Sequence, residues 1–181
     1  MKRKLSAWQF SGFAFTALIG TLLHFLYDWT HRSIAAAVFS AVNESTWEHM
    51  KLLFFPMFVF AFIQHIFFKD YKAFWCIKFL GILTGLALIP ILFYTYNGVF
   101  GKSPDTVNIM IFFISAAGAF ALEMLLFKKG CLHCKNPYLP FAAICLIAAL
   151  FMIFTFYTPR IPLFRDPIDG TYGITKVGLS L

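Results

Sequence analysis

Five runs of about twenty apolar residues, set apart by short polar segments, dominate this chain. They fall at Ala7–Tyr27, Met50–Phe68, Ala73–Tyr96, Val107–Phe127 and Tyr138–Tyr157. At 1.5 Å per residue the first reaches about 31 Å, which matches a hydrocarbon core of about 30 Å. Backbone groups in lipid must be satisfied within their own segment, so each run predicts a helix. Trp8 and Trp29 bracket the first run, Trp75 opens the third, Tyr94 and Tyr96 close it, and Tyr138 and Tyr157 frame the fifth. That is the aromatic belt of a membrane interface. The stretch Ser33–Val42 is apolar but too short to span, which suits a short interfacial or re-entrant helix.

Local signals refine the boundaries. Ser45-Thr46-Trp47-Glu48 matches the S-x-x-E capping box, with Ser45 as N-cap and Glu48 reaching back. Pro90 interrupts the third run and predicts a kink there. Met1-Lys2-Arg3-Lys4 resembles a signal n-region, but the following run is long and lacks an Ala-x-Ala-like cleavage site, so it is expected to stay as a span. From Pro159 onward Pro, Gly and Asp predict an irregular tail. No inverted repeat of the transporter kind is visible. The expected fold is all-α: a polytopic bundle of five transmembrane helices over residues 1–157, then an extracytoplasmic tail over 158–181.

Composition agrees with the pattern. Hydrophobic residues make up 60% of the 181, charged residues only 13%, and phenylalanine occurs 25 times, which leaves too little charge to coat a soluble domain. The net charge of +7 sits in clusters between the apolar runs, so it encodes topology and excludes a nucleic-acid partner. The partner it implies is the lipid bilayer. With the N-terminus inside, that side carries Lys2, Arg3, Lys4, Lys69, Lys72, Lys128, Lys129 and Lys135, against Asp70. The other side carries Arg32, Lys51, Lys102, Arg160, Arg165 and Lys176, balanced by Asp28, Glu44, Glu48, Asp105, Asp166 and Asp169. Eight basic residues against six predict a cytoplasmic N-terminus and an extracytoplasmic C-terminus.

Charges within the runs need partners. Lys78 and Glu123 lie at similar depth in the third and fourth runs, and an ion pair between them is the simplest account. Such a pair fixes helix register, or takes part in a proton or cation step; Lys78 can also snorkel to the headgroups.

The denser cluster lies on the outer side. His24, Asp28 and His31 share one helical face if the first helix continues through His31. Asn43, Glu44, Glu48 and His49 follow at the mouth of the second span. Imidazoles and carboxylates so arranged suit a divalent cofactor such as Zn²⁺, with His24, Asp28 and His49 as ligands. Glu48 or Glu44 would serve as general base. Asn43, Asp28, Tyr94, Arg165 and Asp166 are the binding candidates, the tail closing over the mouth as a lid. The bland reading makes Glu48 a capping carboxylate, Glu44 a helix-dipole partner, and the tail a charged, unfolded end. Glu48 and His49 also diverge by about 100° on the helical wheel.

Cys131-Leu132-His133-Cys134 is a C-x-x-C pair in a cytoplasmic loop, expected as free thiols, and Cys76 and Cys145 read as packing residues. His65, beside Gln64, reads as interfacial.

The run Val42-Asn43-Glu44-Ser45-Thr46-Trp47-Glu48-His49-Met50-Lys51, preceded by His24 and closed by Asp166-Pro167-x-x-Gly170-x-Tyr172-Gly173, resembles an uncharacterised family of small bacterial multi-pass membrane proteins. The resemblance covers most of the chain and implies a bacterial plasma membrane, with no activity to carry over. Ceramidase-like membrane hydrolases are an analogy only, because their His-x-x-x-His arrangement is missing and the spans are too few. Three roles stay open for an integral membrane protein with an outward polar cluster. They are a metal-assisted or acid–base hydrolase acting on a lipid or small molecule, a small-molecule or ion transporter, and a membrane assembly subunit.

Overall fold

The computed structural model describes residues 2–130 and 132–174. Cys131 of the C-x-x-C pair, Lys176 of the charge tally and the end of the tail lie outside them, as do the side chains of Lys2 and Arg3. The helices are α1 (Lys2–Trp29), α2 (Ile34–Ala37), α3 (Thr46–Phe67), α4 (Phe74–Phe100), α5 (Asp105–Lys129) and α6 (Tyr138–Phe156), followed by a 3₁₀ turn at Pro162–Phe164. Among the described residues, five of these are long and apolar enough to cross a membrane, so the fold is a multi-pass bundle. The N-terminus and the α3–α4 and α5–α6 loops share one face, here the first. The α1–α3 connection, the α4–α5 loop and the tail share the second.

Ser45 caps α3 by accepting from Glu48 N–H, the first half of the capping box. The second half does not form: Ser45 N–H goes to Asn43 Oδ1 at 3.0 Å, and the Glu48 side chain turns inward. Gly130 ends α5 in the left-handed region at φ 60°, with Lys128 and Lys129 in the last turn where the dipole favours them. α4 runs unbroken through Pro90, as α3 does through Pro56.

α3 sits centrally, packed by α1, α4 and α6; α4 lies along α5, and α1 along α3 and α5. Small residues permit this closeness. A Cβ on Gly12 would strike Phe60 and Phe120, and one on Gly20 would strike Phe112 and the Leu52 carbonyl. Gly81 lies directly beneath the Glu123 side chain.

Two expectations need correction. Cys134 and Cys76 are neither free thiol nor plain packing residue, since the two form a disulfide. The fold brings the start of α4 against the α5–α6 loop, in a cluster with Phe74, Ile77 and Phe127. His31 does not extend the α1 face, because α1 ends at Trp29 and His31 and Arg32 take positive φ of 51° and 62°.

Candidate functional site

The short segment after α1 does more than connect. Ser40 is buried, and its hydroxyl accepts from Tyr27 N–H at 3.0 Å and donates to the Leu23 carbonyl. It is therefore spliced into the ladder of α1, a recognised way for a side chain to bend a helix. His24 lies within that turn. The Ala37 carbonyl takes a 2.8 Å hydrogen bond from Lys51 Nζ, so this piece tucks into the bundle and does not float on its surface.

The Asn43–Glu44 turn is held from three directions. Glu44 N–H donates to Asp166 Oδ2 at 2.9 Å, Asn43 Nδ2 donates to the Gly173 carbonyl at 3.2 Å, and Asn43 Oδ1 accepts from Ser45 N–H. The tail reaches this turn because Phe164 is buried against Trp47, with ring centroids 4.6 Å apart. Asp166 is likewise buried and braces its own loop through Ile168 N–H. Farther out, Thr171 donates both N–H and hydroxyl to the Asp169 carboxylate, which holds that exposed carboxyl below its usual range.

With the turn so placed, Glu44 faces two imidazoles. His24 Nε2 lies 3.8 Å from Glu44 Oε1, and His49 Nε2 lies 3.5 Å from Glu44 Oε2. One donor atom from each residue falls within 4.8 Å of the others. His49 Nδ1 sits 3.0 Å from the Ser45 carbonyl. A carbonyl only accepts, so Nδ1 is the donor in that contact and Nε2 is the nitrogen that faces Glu44. Donors around tetrahedral zinc stand about 3.3 Å apart at bond lengths near 2.0–2.1 Å. The donors of His24, Glu44 and His49 therefore stand somewhat wider apart than around a bound ion, at 3.5–4.8 Å. Beside Glu44 and His49 lies a cavity of about 20 Å³, lined also by Asn108, Phe93 and Phe112. It has room for roughly one water.

Other sequence candidates go elsewhere. Asp28 is exposed at the end of α1, outside the group of three. Tyr94 is exposed on α4 against Phe93, and Arg165 is exposed, pairing through its backbone with Tyr172. Glu48 is turned into the bundle, where its carboxylate binds Lys51 Nζ at 2.6 Å and accepts from Val42 N–H. Lys51 also donates to Thr155 Oγ1 at 3.0 Å and is fully buried. In the sequence Lys51 stands among the loop charges, and its i, i+3 spacing from Glu48 is the signal for this pair. Asn108 carried no signal beyond being polar near the start of α5.

A second buried pair sits toward the first face. Lys78 Nζ lies 2.6 Å from Glu123 Oε2, with the rings of Phe60, Phe74 and Phe120 at 5.6–5.9 Å around the ammonium. Aromatic faces at that distance give a cation part of the stabilisation that water would supply.

Comparison with curated proteins and with solved structures finds no match. Residues 1–174 match the model of a family of unknown function, DUF6512, and at that coverage the chain belongs to this family.

Proposed function

We propose that this membrane protein holds one divalent transition metal, zinc foremost, between His24, Glu44 and His49 at its second face. The arrangement of His49 carries the reading. A backbone carbonyl orients the imidazole through Nδ1, and Nε2 points at a carboxylate whose other oxygen faces a second imidazole. Metal-ligating histidines are oriented in this way by the partner of their other nitrogen. Two imidazoles and one carboxylate form a ligand set of hydrolytic zinc centres, which keep a fourth position for water or substrate. The water-sized cavity beside Glu44 and His49 favours that use. The activity that fits best is metal-assisted hydrolysis of a lipid or small molecule, with Glu44 as ligand. Glu48 is occupied by Lys51, and in this reading it supports the loop and does not act as base.

The first face is cytoplasmic in this reading, in a bacterial plasma membrane. Withdrawing Lys51 into an internal pair sharpens the positive-inside imbalance between the two faces. The Cys76–Cys134 bond then faces a reducing compartment, where disulfides are transient and redox-sensing.

Zinc content of the purified, detergent-solubilised chain tests the proposal. Stoichiometric zinc is expected after equilibration and dialysis, with loss in His24→Ala and in His49→Ala. Wild-type protein without zinc, or a His24→Ala variant that keeps it, refutes the site.

A further inference from the structure

Where α4 passes into α5, a run of hydrogen bonds ends on the Asn108 side chain and decides which way its amide is turned. Ser103 N–H can only donate, and it donates to Asn97 Oδ1 at 2.9 Å. The other end of that amide is therefore Nδ2, which donates to the Phe93 carbonyl at 2.7 Å and to Ser103 Oγ at 3.3 Å. Receiving there, the Ser103 hydroxyl gives its single hydrogen to Asn108 Oδ1 at 2.7 Å. Ser103 is buried, so little water competes for these contacts. The Asn108 oxygen is thus engaged, and its Nδ2 has no hydrogen-bonding partner among the described residues.

Asn108 lines the same cavity as Glu44 and His49. With its oxygen held by Ser103, Nδ2 is the polar end left for whatever enters. The apolar walls of the cavity come from Ile89 and Phe93 on α4 and from Ile111 and Phe112 on α5. Among the described residues no lysine or arginine lines it, and Lys51, two positions after His49, is turned to Glu48 inside the bundle. These walls discriminate between hydrolysable groups. A phosphate ester would bring an anion against the Glu44 carboxylate with no side-chain cation beside it. A neutral carbonyl oxygen asks only for a donor. The space takes a group of about one water's size, enough for that oxygen. The apolar walls accept the hydrocarbon attached to it and give a second charged substituent no partner.

Resting on the metal reading above, we propose that the substrate of this site is an uncharged carboxylic ester or amide with an apolar acyl chain, and that Asn108 Nδ2 receives its carbonyl oxygen. In the reaction the oxygen of water bonds to the carbonyl carbon, and the bond from that carbon to the leaving oxygen or nitrogen breaks. The electron pair of that bond departs with the alcohol or amine, which takes one proton of the water. The other proton stays with the carboxylic acid formed. Negative charge gathers on the carbonyl oxygen along the way, where an N–H already aimed at it contributes most. Ser103 touches no substrate and acts as the positioning residue that keeps the donor turned outward.

Calorimetric titration of the zinc-equilibrated full chain in dodecyl maltoside tests this with three probes. Octanoyl hydroxamic acid offers a neutral carbonyl, octylphosphonate an anion, and octanethiol a zinc-binding group with no carbonyl. Wild-type protein should favour the hydroxamate over the phosphonate by about tenfold or more. Asn108→Leu should weaken the hydroxamate about tenfold, equivalent to roughly 1.4 kcal/mol, with the thiol affinity and zinc content at wild-type level. Ser103→Ala keeps the amide but frees it to turn, and should weaken the hydroxamate alone by about threefold. It decides the matter where the first variant does not fold. Zinc-loaded protein that binds the phosphonate as tightly as the hydroxamate overturns this inference and leaves the metal reading standing. So does a hydroxamate affinity that is unchanged in the variants, or that falls together with the thiol affinity. Wild-type protein without zinc overturns both.

Discussion

The Glu48–Lys51 pair gives the most quantitative prediction. Lys51→Met keeps most of the apolar stem and removes the ammonium. Glu48, only 2% exposed, is then left with the Val42 N–H. Breaking one side of a buried pair typically costs 3–5 kcal/mol. The carboxylate has a limiting escape, which is to take up a proton. With an ordinary pKa near 4.3 that costs about 3.7 kcal/mol at pH 7. Thr155 keeps its bond to the Phe151 carbonyl, but the Ala37 carbonyl loses its donor, adding roughly 1 kcal/mol. Lys51→Met should therefore destabilise the chain by about 4–5 kcal/mol at pH 7. The proton-uptake part shrinks by about 1.4 kcal/mol for each unit the pH is lowered, since fewer protons must be drawn from a richer supply. At pH 5 the deficit should be nearer 2 kcal/mol. Glu48→Gln/Lys51→Met, with no carboxylate to neutralise, should recover most of the loss at pH 7 and show no such slope. Unfolding in dodecyl maltoside–SDS mixtures at both pH values measures this. A single variant as stable as wild type at pH 7, or a deficit equal at both pH values, refutes the reasoning.

Ser40→Ala removes the hydroxyl spliced between Tyr27 N–H and the Leu23 carbonyl; because the helix can reclose its own bond, stability should fall by only about 0.5–1.5 kcal/mol. His24 lies in that turn, so zinc titration should show a larger relative effect on affinity, and unchanged affinity would separate the turn from the site. Reducing Cys76–Cys134 frees a loop of 58 residues, which lowers stability by up to about 4 kcal/mol. With the first face cytoplasmic, alkylation trapping of growing cells should find these thiols largely reduced; a fully oxidised pair in cells would reverse the proposed orientation.

How much of this could be read without coordinates differs between fold and site. The five spans were legible because their signal is local: a run of apolar residues and a helical backbone are one requirement in lipid. The structure extends them by a few residues where polar ends such as Lys2 and Asn97 continue the helix. The same holds for Ser45 as cap, whose role depends on the three residues after it. The irregular tail was legible too, but not that Phe164 and Asp166 fasten it to the second face.

What a side chain faces is not local. Glu48 and His49 are neighbours in sequence, yet one turns to Lys51 inside the bundle and the other to Glu44 at its surface, because successive helix positions point about 100° apart. His24, Glu44 and His49 come from a helix, a turn and another helix, and the distances among them exist only once Ser40 and Asp166 have set the turn between them. Sequence alone determined that this chain crosses a membrane several times, with its scarce polar groups crowded at the ends. Packing decided which of them meet, since a helix specifies a face by its period but leaves the partner of that face to the crossing and register of its neighbours.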